Sequence, residues 1–396
     1  MGYSTPGVYI KEISMGAKPV TGVSTSIAGF VGITEKGADE ESAVFISSWG
    51  NFTENFGRYT TGAPYLAPAV HSFFANGGTS CYVVSIANAA VPDTEEADPD
   101  TITDINYTGS AGATPDKRKG LAVLEAIDEV SIIAIPGNTS SDVQKAMLTH
   151  CETLKDRFCI FDTDENDTIE QTKTLRNLLT SDGGYGAVYY PWIEVGVESG
   201  NEDTLTLESM FIPPSGAIAG IYARSDNEKG VHKAPANEII RNVTRLKVNL
   251  TNSDQGTLND VNVNCLRSFP GRGIRVWGAR TISTDIDWRY VNVRRLFIYL
   301  EESIDESTQW VVFEPNNEQL WARVTQTINN FLTGLWRDGA LMGSSPEEAF
   351  FVRCDKTTMT PEQIANGELI AVIGVAPTKP AEFVIFKIAQ TTIDSK

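Results

Sequence analysis

Two rhythms of apolar and polar residues alternate along this chain. Short apolar runs bounded by turn residues read as buried strands: Ile27–Ile33 (IAGFVGI), Cys81–Ile86 (CYVVSI), 131–137 (SIIAIPG), 158–162 (FCIFD) and 186–193 (GAVYYPWI). Between them lie stretches with helical signals. Helices are predicted over Pro64–Phe74, closed by Asn76-Gly77-Gly78, near 120–128, from the Ser140/Ser141/Asp142 cap to Leu154, and over Ile169–Leu179. Strands alternating with helices at this interval imply a mainly parallel sheet with right-handed crossovers, an α/β layer sandwich.

Beyond Pro213-Pro214 a small-residue helix, Gly216–Ala223, is suited to close packing. Two longer helices are predicted in the last third, over Trp288–Ile304 and Asn316–Arg337. In the second, Leu320, Val324, Ile328, Phe331 and Leu335 recur at the spacing of one helical face, Trp321, Leu332 and Trp336 widen it, and Gly339 supplies a stop. That helix would be about 30 Å long. Five of the seven tryptophans (Trp277, Trp288, Trp310, Trp321, Trp336) crowd this region, the mark of a compact core or a large interface.

The chain ends carry a different pattern. After Ser4-Thr5-Pro6-Gly7, the residues Val8, Tyr9, Ile10 and Ile13 belong to a short extended strand, and drawn out, residues 3–14 reach about 40 Å. At the other end Phe383 and Ile385 alternate with Val384, Phe386 and Ile388, apolar on both faces as in a strand covered on two sides.

A chain of 396 residues with 41% hydrophobic content has material for two or three domains. The expected division is an N-terminal arm and strand (1–25), an α/β domain (26–265), a mixed α/β domain (266–380) and a C-terminal arm strand (381–396). The five cysteines show no CxxC spacing and read as buried free thiols from a reducing cytoplasm. Neither a basic leader with an apolar core nor a run of about 18 apolar residues occurs, so neither cleaved export nor membrane insertion is expected.

A net charge of −19 argues against nucleic acid as a partner. The acidic stretch 91–104 (VPDTEEADPDTITD) reads as a surface loop. Against this background, seven arginines (Arg267, Arg272, Arg275, Arg280, Arg289, Arg294, Arg295) face only Asp285 and Asp287 in the same window, a local net of +5. Such asymmetry marks either a surface for an acidic partner or salt bridges to the chain's own acids.

Candidate chemistry is sparse. His71, His150 and His232 are isolated, no GxSxG elbow or P-loop occurs, and Cys81 in GTSCY has no base in view. Asp162, Asp164 and Asn166 mimic a calcium loop, but Asp167 stands where Gly is needed and Lys173 where Glu is needed. Gly271, Gly273 and Gly278 are misspaced for a dinucleotide. No catalytic, cofactor or metal residue is assigned. A soluble α/β enzyme with a site at the strand ends near Asp162–Asp167 remains an alternative.

Several long segments closely resemble contractile tail sheath proteins, the sleeves of phage tails, R-type bacteriocins and phage-like injection systems. They are GVYIKEI, VSTSIAGFVG, FFANGGTSCYVV, the PPSGAIAG…GVHKAPAN stretch, 271–300, 310–321 (WVVFEPNNEQLW), 339–355 and 373–388. The resemblance implies no enzyme activity and no cofactor. It implies a subunit that polymerises as stacked hexameric rings around an inner tube protein, meets baseplate and tail-terminator or cap proteins, and shortens on triggering. The static alternative is a tube or shell subunit that never contracts. By the same resemblance the terminal strands complete β-sheets in adjacent subunits, the middle domain lies outward, and Arg289, Arg294, Arg295, Arg323 and Arg337 are candidates to face the tube. Assembly would take place in the bacterial cytoplasm.

Overall fold

A computed structural model describes residues 19–89, 102–109, 117–199 and 205–385. The predicted strand over Val8, Tyr9, Ile10 and Ile13, the acidic residues 91–101, and Phe386 and Ile388 lie outside the described residues. The chain divides into two compact units, one of Val23–Glu302 with Pro377–Lys396 and one of Met1–Gly22 with Ser303–Ala376.

In the first unit the elements run β1 (Ala28–Thr34), β2 (Asp39–Ile46), α1 (Trp49–Phe56), α2 (Leu66–Ala75), β3 (Cys81–Asn88), α3 (Asp104–Thr108), β4 (Ile132–Ala134), α4 (Ser141–Leu154), β5 (Phe158–Asp162), α5 (Ile169–Leu178), β6 (Gly186–Tyr190), β7 (Ile193–Ser199), β8 (Thr206–Ile212), α6 (Ser215–Lys229), β9 (Val243–Leu246), α7 (Asn252–Asp260), β10 (Val263–Phe269) and β11 (Gly273–Val276). Helix α8 (Val291–Thr308) contains the division, which falls between Glu302 and Ser303. The second unit holds α9 (Glu318–Arg337), α10 (Pro346–Ala349), β12 (Phe350–Arg353), α11 (Pro361–Ala365) and β13 (Val372–Val375).

Eight strands form the main sheet in the order β11-β10-β6-β5-β4-β1-β3-β2. The six central strands are parallel, and β2 and β11 pair antiparallel at the edges. Helices are needed to cover a parallel sheet, and the strands are accordingly buried along their length: every residue of β4, β5 and β6 is buried. The mixed α/β class expected from the sequence is the one observed.

The differences have local causes. The run 186–193 is two strands, because the chain turns at Tyr190-Pro191, where proline offers no N–H to a ladder. Its second half, β7, joins the three-stranded sheet β8-β7-β9. The segment near 120–128 is a 3₁₀ helix, Gly120–Ala126. The expected boundary at 265/266 falls inside β10, which pairs with β6 and cannot leave the main sheet.

Small residues position α6. A Cβ on Gly216 would stand 2.2 Å from the Ala69 carbonyl oxygen, and one on Gly220 would stand 2.3 Å from that of Phe73. The backbones of α6 and α2 therefore touch, which only glycine permits. Gly216→Ala should destabilise the subunit by about 1–3 kcal/mol, the usual cost of overpacking, in urea unfolding. Gly256→Ala in α7, where a Cβ meets nothing within 4 Å, should be neutral or stabilising by up to about 1 kcal/mol.

Candidate functional site

The arginine window does not form one outward basic face. Arg294, a tube-facing candidate, is 3% exposed; its guanidinium stands 4.5 Å from the Tyr185 ring centroid and 4.4 Å from that of Trp288, and reaches Glu301 at 3.4 Å. Arg295, also 3% exposed, pairs with Asp226 at 2.6 Å through one nitrogen and 3.0 Å through the other. It also donates to the Thr25 carbonyl at 2.7 Å, and Thr25 Oγ1 donates to Asp226 at 2.6 Å. Both assignments are corrected: these cations lie inside the fold because aromatic rings and a buried carboxylate accommodate them.

Arg280 is buried as well. It forms a two-pronged pair with Glu382 at 2.9 and 2.6 Å and donates to the Asn259 carbonyl at 2.7 Å. What remains outward is smaller. Arg272 is exposed and lies 4.8 Å over the Phe269 ring, Arg289 is half-buried, and Arg267 is held by Asn252 and Gln255 at 2.7 Å each.

Helix α9 starts at Asn317, whose side chain accepts from the N–H groups of Gln319 and Leu320, and buries Leu320, Trp321, Val324, Ile328 and Leu332. Phe331, Leu335 and Trp336 are only half-buried, so the predicted face thins towards its end. Arg323 stacks 4.4 Å over Trp310, and Arg337 is exposed. A cleft of about 710 Å³ is lined by Leu320, Val324, Ile328, Val311, Leu369 and Ile373 among others. Strands β12 and β13 form a two-stranded antiparallel sheet, with Phe351 and Val372 exposed. Sequence reasoning missed this pair; the apolar run Phe350-Phe351-Val352 was the available signal.

Both terminal strands were expected to be sheet elements. Phe383, Val384 and Ile385 are 73%, 67% and 80% exposed and belong to no strand among the described residues.

At the strand ends the acids make bonds within the fold. Asp162 is 2% exposed and accepts from Ser215 N at 3.0 Å and Ser215 Oγ at 2.6 Å. Pro214 precedes α6 without a side-chain cap, so Asp162 supplies the missing acceptor from a neighbouring strand. Asp164, Asn166 and Asp167 bond within their own turn. The five cysteines are all buried, and burial pushes the Cys265 thiol up to about 12. His150 lies 3.4 Å from Arg157, and burial together with that cation holds it down to about 4. Among the described residues no cluster of acids, histidines and cysteines could hold a metal, and no helix is long and apolar enough to cross a membrane.

Comparison with known proteins adds the following. The family model described as the phage tail sheath protein central domain matches residues 112–282, and that of the phage tail sheath C-terminal domain matches 283–391. The sheath of the extracellular contractile injection system PVC, in its contracted state, is 32% identical over 99% of each chain with a TM-score of 0.79. The contracted helical sheath of the anti-feeding prophage is 32% identical, covering 98% of this chain and 100% of that one, with a TM-score of 0.74. The tail sheath protein of Vibrio phage KVP40 is 28% identical over 191 residues, 47% of this chain. The matched region spans less than half of that curated relative, 28% of its length.

The buried Asp162 carboxyl makes stability depend on pH. Burial pushes it up to about 7 from its ordinary 3.8, against the opposing bonds from Ser215 and the Gly137 N–H. Between those values the folded chain keeps a proton that the unfolded chain has released, so this residue's contribution falls as pH rises. Asp162→Asn should therefore gain stability relative to wild type from about pH 4 to about pH 7, read as the difference in urea midpoints. A difference independent of pH would show that Asp162 is ionised throughout.

Proposed function

The chain belongs to the contractile tail sheath family, and from that premise we propose that it is a structural sheath subunit that polymerises around an inner tube as stacked hexameric rings and contracts to drive the tube through a target envelope. The observation that carries this reading is the likeness to a contracted injection-system sheath over 99% of both chains. Its partners are further copies of itself, the tube protein, a baseplate and a terminator or cap. Assembly takes place in the bacterial cytoplasm.

The terminal arms are the linkers. Val8, Tyr9, Ile10 and Ile13 at one end, and Phe383, Val384, Ile385, Phe386 and Ile388 at the other, add as strands to neighbouring subunits. Two observations support this. The apolar residues Phe383–Ile385 stand in solvent, where such side chains are unfavourable unless a partner covers them. Among the described residues strands β12 and β13 each have one strand neighbour, and a two-stranded sheet is marginal by itself. Each main-chain bond gained nets about 0.5–1.5 kcal/mol, so several per arm are required.

Contraction without nucleotide calls for a metastable extended lattice whose contacts are exchanged for more favourable ones. The central domain, matched over 112–282, lies outward, and the C-terminal domain, matched over 283–391, faces the tube. With Arg294 and Arg295 inside the fold, the cations left to meet an acidic tube are Arg289, Arg323 and Arg337.

Negative-stain microscopy of the expressed protein should show hollow cylinders, whereas small discrete oligomers would favour an enzyme. Removing residues 1–14 should abolish the cylinders and leave a folded subunit by circular dichroism. Arg337→Glu should reduce co-sedimentation with the tube protein, most of all at low ionic strength; binding unchanged at every salt concentration would remove Arg337 from that role.

A further inference from the structure

We propose that the segment Arg280–Arg295 is the anchor of both arms: it grips the chain at the root of each terminal strand. This rests on the reading of both ends as strands shared between subunits.

At the C-terminal root this one segment supplies three contacts. Asn292 Nδ2 donates to the Thr378 carbonyl at 3.1 Å, Arg280 pairs with Glu382 at 2.6 Å, and Tyr290 Oη donates to the same carboxylate at 3.2 Å. Among the described residues Glu382 is the last one held. Phe383, the next, is 73% exposed, so the chain passes from clamped to free-standing in one step.

At the N-terminal root the same segment supplies Arg295. Its guanidinium holds the Thr25 carbonyl and the Asp226 carboxylate, and Thr25 Oγ1 closes the triangle on Asp226. Three residues later β1 begins and is locked into the sheet between β4 and β3.

Stability alone does not call for this chemistry. A buried ion pair is often no better than packed apolar side chains of the same volume. Apolar contacts are non-directional and slide under load. A two-pronged guanidinium–carboxylate pair fixes angle as well as distance, which matters where a strand must be presented to a neighbour and then pulled. Fixing the root also lowers the entropy lost when the arm docks. Arg280, Glu382, Arg295 and Asp226 are thus positioning residues for assembly.

The test compares three full-unit proteins: wild type, Glu382→Ala, and a chain ending at Glu382. The readouts are circular dichroism with thermal midpoint of the unassembled subunit, and the fraction sedimenting as cylinders. The expected result is a wild-type spectrum for Glu382→Ala with at least a tenfold loss of cylinders, matching the truncated chain. Cylinders at the wild-type level from Glu382→Ala, with none from the truncated chain, would overturn the anchor and leave the arms standing. Cylinders from the truncated chain would overturn the arm reading itself. Should Glu382→Ala not fold, the isosteric Glu382→Gln is scored in the same way, and failure of both to fold would assign the pair to the fold and sink the proposal.

Discussion

A guanidinium shut away from water is tolerated only where carboxylate, carbonyl or ring takes the place of its hydration, and the meeting of Arg295 with Asp226 and Thr25 is the clearest instance here. It joins α8, α6 and the approach to β1, three segments more than sixty residues apart in sequence. Losing either partner strands a charge in the interior, so the arrangement tolerates little substitution. The aromatic setting of Arg294 between Tyr185 and Trp288 applies the same rule with π faces beside the Glu301 carboxylate.

The strands and helices of the first unit were largely legible because parallel sheets demand continuous apolar runs. FCIFD is a strand over the same residues in the fold, and the Ser140 cap starts α4 where the sequence places it. Edge elements were not legible. Strand β2 carries Asp39, Glu40 and Glu41 on a half-exposed ladder, so no apolar run announces it, and α1 is two turns long, too short for periodicity to speak. At Tyr190-Pro191 an unbroken apolar run hid a change of sheet.

The arginine window shows where charge counting runs out. Net charge along a sequence says nothing of direction, and the acids that meet Arg280 and Arg295 are 102 and 69 residues away. No local pattern could have paired them. The aromatic residues among the arginines were the better signal, since Trp288 lies against Arg294 and Tyr290 shares the Glu382 carboxylate with Arg280. The second unit was read through α9, whose buried face follows the expected period at its start. Its two-stranded sheet escaped notice because four-residue strands are too short to stand out.

The glycine seam between α2 and α6 has a mechanical consequence. Side chains interposed between helices can change rotamer and let one helix creep past the other, but main chain resting on main chain has no such gears. These two helices must therefore travel as a single block in any motion of the subunit. Their amide hydrogens should be among the slowest in the molecule to exchange with solvent, in whatever state the assembly is caught.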